Sequence, residues 1–260
     1  MNHLKKSVYY SLVFLVFLCL STRVFSQKIA LRHHEFGIAG GWAFPMSDFK
    51  GLPLFDKTNN TMSINGAKTG LSMDVHYTYF PWKWAGFGLL VNAQMYDLNG
   101  DAKNALKASI PNLAFPGVAL ESSRWQNYSI RFVVDINIPL FLGLSITARG
   151  TAGAAWQITP PIDLYFGVPN PPYLGSLSYQ SDVKANFITS GGIGIKWRII
   201  GPLTLTANAD YQYSPTYKHK DVLVALSPEN INTPNESTGK ININQPYQAV
   251  TFTFGLAFKF

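Results

Sequence analysis

Residues 250–260 (VTFTFGLAFKF) alternate without a break. Every even position there, Val250, Phe252, Phe254, Leu256, Phe258 and Phe260, is large and apolar, and every odd one, Thr251, Thr253, Gly255, Ala257 and Lys259, is small or polar. Successive side chains of a strand point to opposite faces, so this segment carries one apolar face and one polar face. The same period recurs upstream. Phe36, Ile38, Trp42 and Phe44 alternate with Gly37, Ala39, Gly41 and Ala43, and Leu71, Met73, Val75, Tyr77 and Tyr79 alternate with Ser72, Asp74, His76 and Thr78. Further segments begin at Phe87, Tyr128, Leu144, Phe187 and Leu203. The alternation therefore predicts eight strands, and no helical period of useful length interrupts them.

The connections constrain the fold as much as the strands do. Three are short, at residues 81–83, 139–143 and 200–202, and four are long, at 47–67, 98–122, 158–183 and 214–244. Long and short alternate strictly. That is the layout of an outer-membrane barrel, with short periplasmic turns and long extracellular loops. In lipid every backbone N–H and C=O must be paired within the protein, so strands span only as a closed barrel. Each amphipathic segment meets the ~9–11 residues a tilted strand needs. The expected fold is all-β, a closed antiparallel transmembrane β-barrel of eight strands.

The N-terminus reads differently. A basic leader containing Lys5 and Lys6 precedes an apolar run over residues 8–20 (VYYSLVFLVFLCL), and Val24 and Ser26 flank a cut before Gln27. This is the layout of a secretory signal peptide, and the run is too short for a spanning helix. The expected organisation is a signal peptide over 1–26 and a barrel over 27–260. Cys19, the only cysteine, leaves with the leader, so the mature chain has neither a disulfide framework nor thiolate chemistry. The net charge falls from +7 to +4, with 18 Lys and Arg against 14 Asp and Glu. What remains is spread along the chain and leaves no basic patch for nucleic acid. A mean hydropathy of +0.06 excludes a polytopic helical membrane protein. Alternating strands produce such a value when greasy and polar residues cancel.

Aromatic residues near strand ends fit the interfacial girdles of such barrels. Tyr79, Trp82, Trp84, Phe141, Trp197 and Phe258 are expected at the periplasmic interface, and Trp125, Tyr128, Trp156, Tyr211 and Tyr213 at the outer one. A soluble barrel also alternates, with its apolar face inside. The signal peptide and the loop asymmetry favour the membrane form, in which the charged parity lines the lumen. On that parity stand Asp74, Asp135 and Asp210 against Arg131, Arg149, Lys196, Arg198 and Lys259. Counting from the short turns puts Asp74, Arg131, Arg149 and Asp210 at one height with Asp135 a step lower, which predicts a mid-barrel ionic cluster.

The terminal strand, with Phe252, Phe254, Leu256, Phe258 and a final Phe260, resembles the last strand of bacterial outer-membrane proteins. With the signal peptide and eight strands, the chain resembles the small outer-membrane β-barrels of the OmpA/OmpX/OmpW type and the porin-like or PorT-like barrels of Bacteroidetes. Gln27 after the cut is similar to secreted proteins of that phylum. The resemblance implies residence in the Gram-negative outer membrane among its lipid and lipopolysaccharide. It also implies recognition of the terminal strand by the barrel-assembly machinery. No segment of 27–260 resembles an OmpA-type peptidoglycan-binding domain, so tethering to the periplasmic wall is not expected.

The residues give little sign of catalysis. His76 faces inward beside Asp74, His219 lies between Lys218 and Lys220, and none has a nucleophile partner at the outer rim. His33-His34-Glu35 is adjacent rather than spaced, and strand neighbours point oppositely, so no metal or other cofactor is expected. Asn59-Asn60-Thr61 and Asn235-Glu236-Ser237 match a glycosylation pattern but read as turns. An eight-stranded interior is only wide enough for side chains, so the cluster of Asp74, Arg131, Asp135, Arg149 and Asp210 reads as a plug, with a gate or filter as the other reading. The expected role is structural or interactive, with a closed lumen and loops that contact lipopolysaccharide or a protein partner; the alternative is a narrow porin-like channel for small solutes or ions. Residues 158–183, with five prolines and four aromatics, form a candidate contact loop or an extension of the strands. Residues 223–226 and 241–243 are candidates to pair above the rim.

Overall fold

The computed structural model describes residues 33–51, 54–56, 61–63, 65–98, 100, 104, 119–122, 124–159, 162–169, 172–179, 182–229 and 237–260. The signal-peptide reading falls on residues 1–26, outside that set. Eight strands form the barrel: β1 (His34–Pro45), β4 (Gly70–Tyr79), β5 (Ala85–Tyr96), β7 (Trp125–Pro139), β8 (Leu144–Ile158), β11 (Val183–Ile200), β12 (Leu203–Glu229) and β13 (Ser237–Lys259). Each pairs antiparallel with its neighbour in that order. The last returns to the first, with Phe36 opposite Phe258 and Phe44 opposite Val250. Among the described residues no helix is long and apolar enough to cross a membrane.

The faces sort as a lipid solvent demands. Phe36, Ile38, Met73, Leu89, Val91, Ile130, Phe132, Ile193, Phe254 and Phe258 stand exposed on the outside, and Met73 keeps 67% of its surface open. Ser72, Asp74, Asn92, Gln94, Asn127, Thr147, Asn208 and Thr251 are buried inside. This reverses a water-soluble protein, where an apolar belt of such extent would be an aggregation surface. The architecture is a transmembrane β-barrel. Tight connections close one end. At the turn after β7, Leu142 and Gly143 take φ of 52° and 77°, and Gly201 takes 53°. Glycine reaches this left-handed region without a Cβ clash.

The other end is more structured than four loops. The segment 214–244 is largely strand: β12 and β13 stay paired from Ser214 opposite Tyr247 to Leu226 opposite Ser237. Two register shifts, between Ser214 and Tyr217 and between His219 and Val222, interrupt the alternation there. Leu223 and Val224 lie opposite Lys240 and Gly239. Between β8 and β11 lies a hairpin of β9 (Ile162–Pro169) and β10 (Pro172–Tyr179). It adds to the free edge of β12, and β6 (Ala119–Ser122) pairs with β9. In register Leu226 pairs with Leu177, Leu177 with Leu164 and Leu164 with Leu120. Beyond the barrel, therefore, the pairing continues as a sheet through β13, β12, β10, β9 and β6. The first connection, 47–67, contains the one-turn helix α1 (Ser47–Lys50), β2 (Leu54–Asp56) and β3 (Thr61–Ser63).

Candidate functional site

The lumen is filled in layers. At the loop end α1 turns inward and buries Phe49 completely, against Tyr96, Tyr247 and Trp125 at ring separations of 5.1, 5.3 and 6.3 Å. The Gly66 and Ala67 amides donate to the Phe49 carbonyl at 3.1 and 3.0 Å, so the returning chain holds the turn in place. Trp125 is thus a lumen residue and not part of the outer girdle. It shares the inward odd parity of β7 with Asn127, Ser129 and Arg131, whereas Tyr128 faces out. Beneath the rings a polar tier begins. The Tyr96 hydroxyl donates to Gln94 Oε1 at 2.9 Å, and the Tyr247 hydroxyl lies within hydrogen-bond reach of Gln94 Oε1 and of Gln212 Oε1.

At mid-height Arg149 of β8 reaches Asp210 of β12. Its Nε donates to Oδ1 at 2.6 Å and its Nη2 to Oδ2, a bidentate fork. Arg149 Nη2 also lies 3.4 Å from Asp74 Oδ2, and Asn92 donates to the other Asp74 oxygen at 2.6 Å. The register explains why the fork spans β11. Gly192 is the partner of Arg149 on one side and of Asp210 on the other. A Cβ at Gly192 would collide with the Asp210 carboxylate, so the missing side chain opens the path. Arg131 is buried to 1% exposure. Its Nη1 donates to Ser190 Oγ at 3.2 Å and Thr151 Oγ1 at 3.5 Å, and it makes no ion pair among the described residues.

A second ionic group lies nearer the turn end. Lys196 Nζ donates to Glu35 Oε1 and Asp135 Oδ2, each at 2.7 Å. Lys259 Nζ lies 3.2 Å from Glu35 Oε2, and His76 Nε2 lies 3.4 Å from Glu35 Oε1. Phe80 closes this end, with the Lys196 and Lys259 ammonium groups 5.3 and 4.9 Å from its ring centre. Between the two ionic groups a cavity of about 10 Å³, bordered by His76, Asp135, Arg149, Lys196, Thr206 and Asn208, has room for a single water.

The expected five-residue cluster therefore divides. Asp74, Arg149 and Asp210 come together, Arg131 stands near them without touching a carboxylate, and Asp135 joins Lys196. Glu35, which the sequence sets in an unlinked terminal run with His33 and His34, is fully buried at the centre of the lower group. Extending the odd inward parity of β1 by one step from Gly37 finds it, and pairing of first and last strands sets it opposite Lys259. Arg198, expected inside, is exposed at the rim, where β11 slips register between Arg198 and Ile200. With both changes the expected lumen excess of two positive charges disappears. Glu35, Asp74, Asp135 and Asp210 balance Arg131, Arg149, Lys196 and Lys259. The proposed assembly-signal residues Phe252, Phe254, Leu256, Phe258 and Phe260 all face outward.

No family model matches the chain, and no curated protein matches it. Among solved structures it is similar to a major outer membrane protein from Thermus thermophilus, at 11% identity and a TM-score of 0.44, over 87% of this chain and 99% of that one. It is also similar to Neisserial surface protein A, at 11% identity and a TM-score of 0.39, over 90% and 100% of the two chains. A third likeness is to Ail, the attachment invasion locus protein of Yersinia pestis, at 12% identity and a TM-score of 0.37, over 88% and 99%.

Proposed function

We propose that this chain is an outer-membrane barrel with a structural or interaction role, its lumen closed and its working surface the sheet beyond the loop end. The layered filling of the lumen carries this reading. An aromatic stopper, two ionic groups and a phenylalanine floor occupy the axis, and the cavity among them has room for one water. A conducting pore keeps a continuous water path, and pairing of every acidic lumen side chain described with a cation favours a fixed plug over a filter whose charges must exchange partners with ions. The apolar belt supports residence in lipid. With the short turns on the periplasmic side, the sheet of β12, β10, β9 and β6 stands outside the cell. There it supplies the contact surface for lipopolysaccharide or a protein partner. The outward terminal strand is the segment that barrel-assembly machinery would meet. No catalytic role is part of the proposal. The test is planar-bilayer recording of the refolded barrel, with folding verified by the heat-modifiable gel shift of barrels. Closed-lumen protein gives the shift and no steady openings. Steady openings would favour the narrow-channel reading instead.

A further inference from the structure

Two arginines stand near one another in the lumen, Arg149 in the register row of Gly192 and Asp210 and Arg131 bonded to the next inward row, Thr151 and Ser190, and the groups they meet differ. Arg149 presents Nε and Nη2, the parallel pair of N–H groups along one edge of the guanidinium, to the two oxygens of Asp210. Arg131 presents the same edge, Nε and Nη2, and no acceptor among the described residues meets either atom. Its third nitrogen, Nη1, is held by Ser190 and Thr151, whose hydroxyls are 2.6 Å apart, so the guanidinium is anchored on its far side. The group is 1% exposed, and a buried guanidinium with two unmet donors is costly unless something accepts from them. The inward row of β7 from Arg131 toward the loop end adds unmet donors: Ser129 Oγ, Asn127 Nδ2 and Trp125 Nε1. On the adjacent strand β5, Asn92 and Gln94, the register partners of Ser129 and Asn127, direct their amide N–H groups elsewhere: both donate to Ser72 Oγ, and Gln94 also donates to Gln212 Oε1.

We propose that the free edge of Arg131 is a binding site for a small oxyanion of carboxylate geometry, held in the bidentate fork that Asp210 already occupies on Arg149. Planar, paired acceptor oxygens are what such an edge recognises, and a lone water satisfies one N–H well but not both. The row of β7 donors runs from Trp125, beside Phe49, down to the fork. Asp74 and Asp210 already balance the two arginines, so the fork rather than net charge holds the ligand, and removal of the Asp74 charge tightens binding. The inference does not depend on a structural role for the barrel, since a closed lumen and a narrow channel both accommodate it.

The probe is formate, titrated into the refolded full barrel at constant ionic strength set with sodium fluoride. The readout is the ¹⁵N-resolved Nε–H signal of Arg131, assigned by its loss in Arg131→Lys, with Arg149 as the internal reference. The Arg131 signal should move saturably while that of Arg149 stays fixed, and Asp74→Asn should shift the midpoint to lower formate. A stationary Arg131 signal, or one that moves in parallel with Arg149 and the surface arginines, would overturn the proposal and leave the edge to water. The titration reads the native protein; where Arg131→Lys fails to fold, loss of the Arg149 signal in Arg149→Lys and through-bond connection to the Arg131 backbone make the assignment.

Discussion

Arg149 on β8 grips Asp210 on β12 across Gly192 on β11, the position between them in the register row, which carries no side chain. Both members are buried, so breaking the pair strands a cation in a low dielectric. Asp210→Ala should lower the unfolding free energy by about 3–5 kcal/mol, the usual cost of orphaning a buried charge. The exposed pair Arg124–Asp97, at 2.8 Å, is the control, and Asp97→Ala should cost less than about 1 kcal/mol. Urea titrations in lipid vesicles, followed by tryptophan fluorescence, compare the two.

The glycine between them makes a steric prediction. Gly192→Ala drives a methyl into the Asp210 carboxylate, and such overpacking costs about 1–3 kcal/mol. Gly150 lies on the same sheet facing outward, where an added Cβ meets nothing within 4 Å. Gly150→Ala should be neutral or stabilising by up to about 1 kcal/mol through the unfolded chain. Equal losses at both positions, in the same titration, would contradict the packing described.

In the lower group Lys196 and Glu35 act as a unit. Removing either leaves its buried partner under-compensated, so Lys196→Met and Glu35→Gln should each destabilise, and the double variant should lose less than their sum. A double-mutant cycle should return a coupling of about 1–3 kcal/mol. Additive losses would mean that the 2.7 Å contact contributes nothing beyond its parts.

Lipid, not water, is the solvent of the outer face. Val91, half exposed within the belt, should tolerate arginine poorly, at a cost of about 2–4 kcal/mol if it lies near the midplane. Trp82, exposed in the turn between β4 and β5, should accept the same change for about 1 kcal/mol or less. The ranking of the two in vesicle unfolding reads the depth of each position directly.

What was legible in the sequence follows from what period two encodes. Phe252 against Thr253, or Met73 against Asp74, declares a face within one strand, so strand number, order and parity were readable. Height and neighbourhood across strands depend on stagger, which no single segment records. Asp135 and Arg149 share a register row, yet Asp135 bonds Lys196. Trp125 carried its inward parity openly, but its aromatic character suggested an interface. The strands above Ser214 were hidden because two register shifts break the alternation that would have announced them. Phe49 left no signal at all, since one buried side chain in a one-turn helix has no period.

The central claim is that, below the register shift of β12, its odd positions from Leu205 to Tyr213 face lipid and its even positions from Thr204 to Gln212 lie in a sealed lumen. With Cys19 in the predicted leader, single cysteines placed at residues 204–208 and 211–213 can be read without background. In vesicles, cysteines at Leu205, Ala207, Tyr211 and Tyr213 should meet a lipid-soluble quencher when labelled and resist a small aqueous methanethiosulfonate. Cysteines at Thr204, Thr206, Asn208 and Gln212 should meet neither reagent. Rapid aqueous modification at those four even positions would show a water-filled lumen and contradict the account.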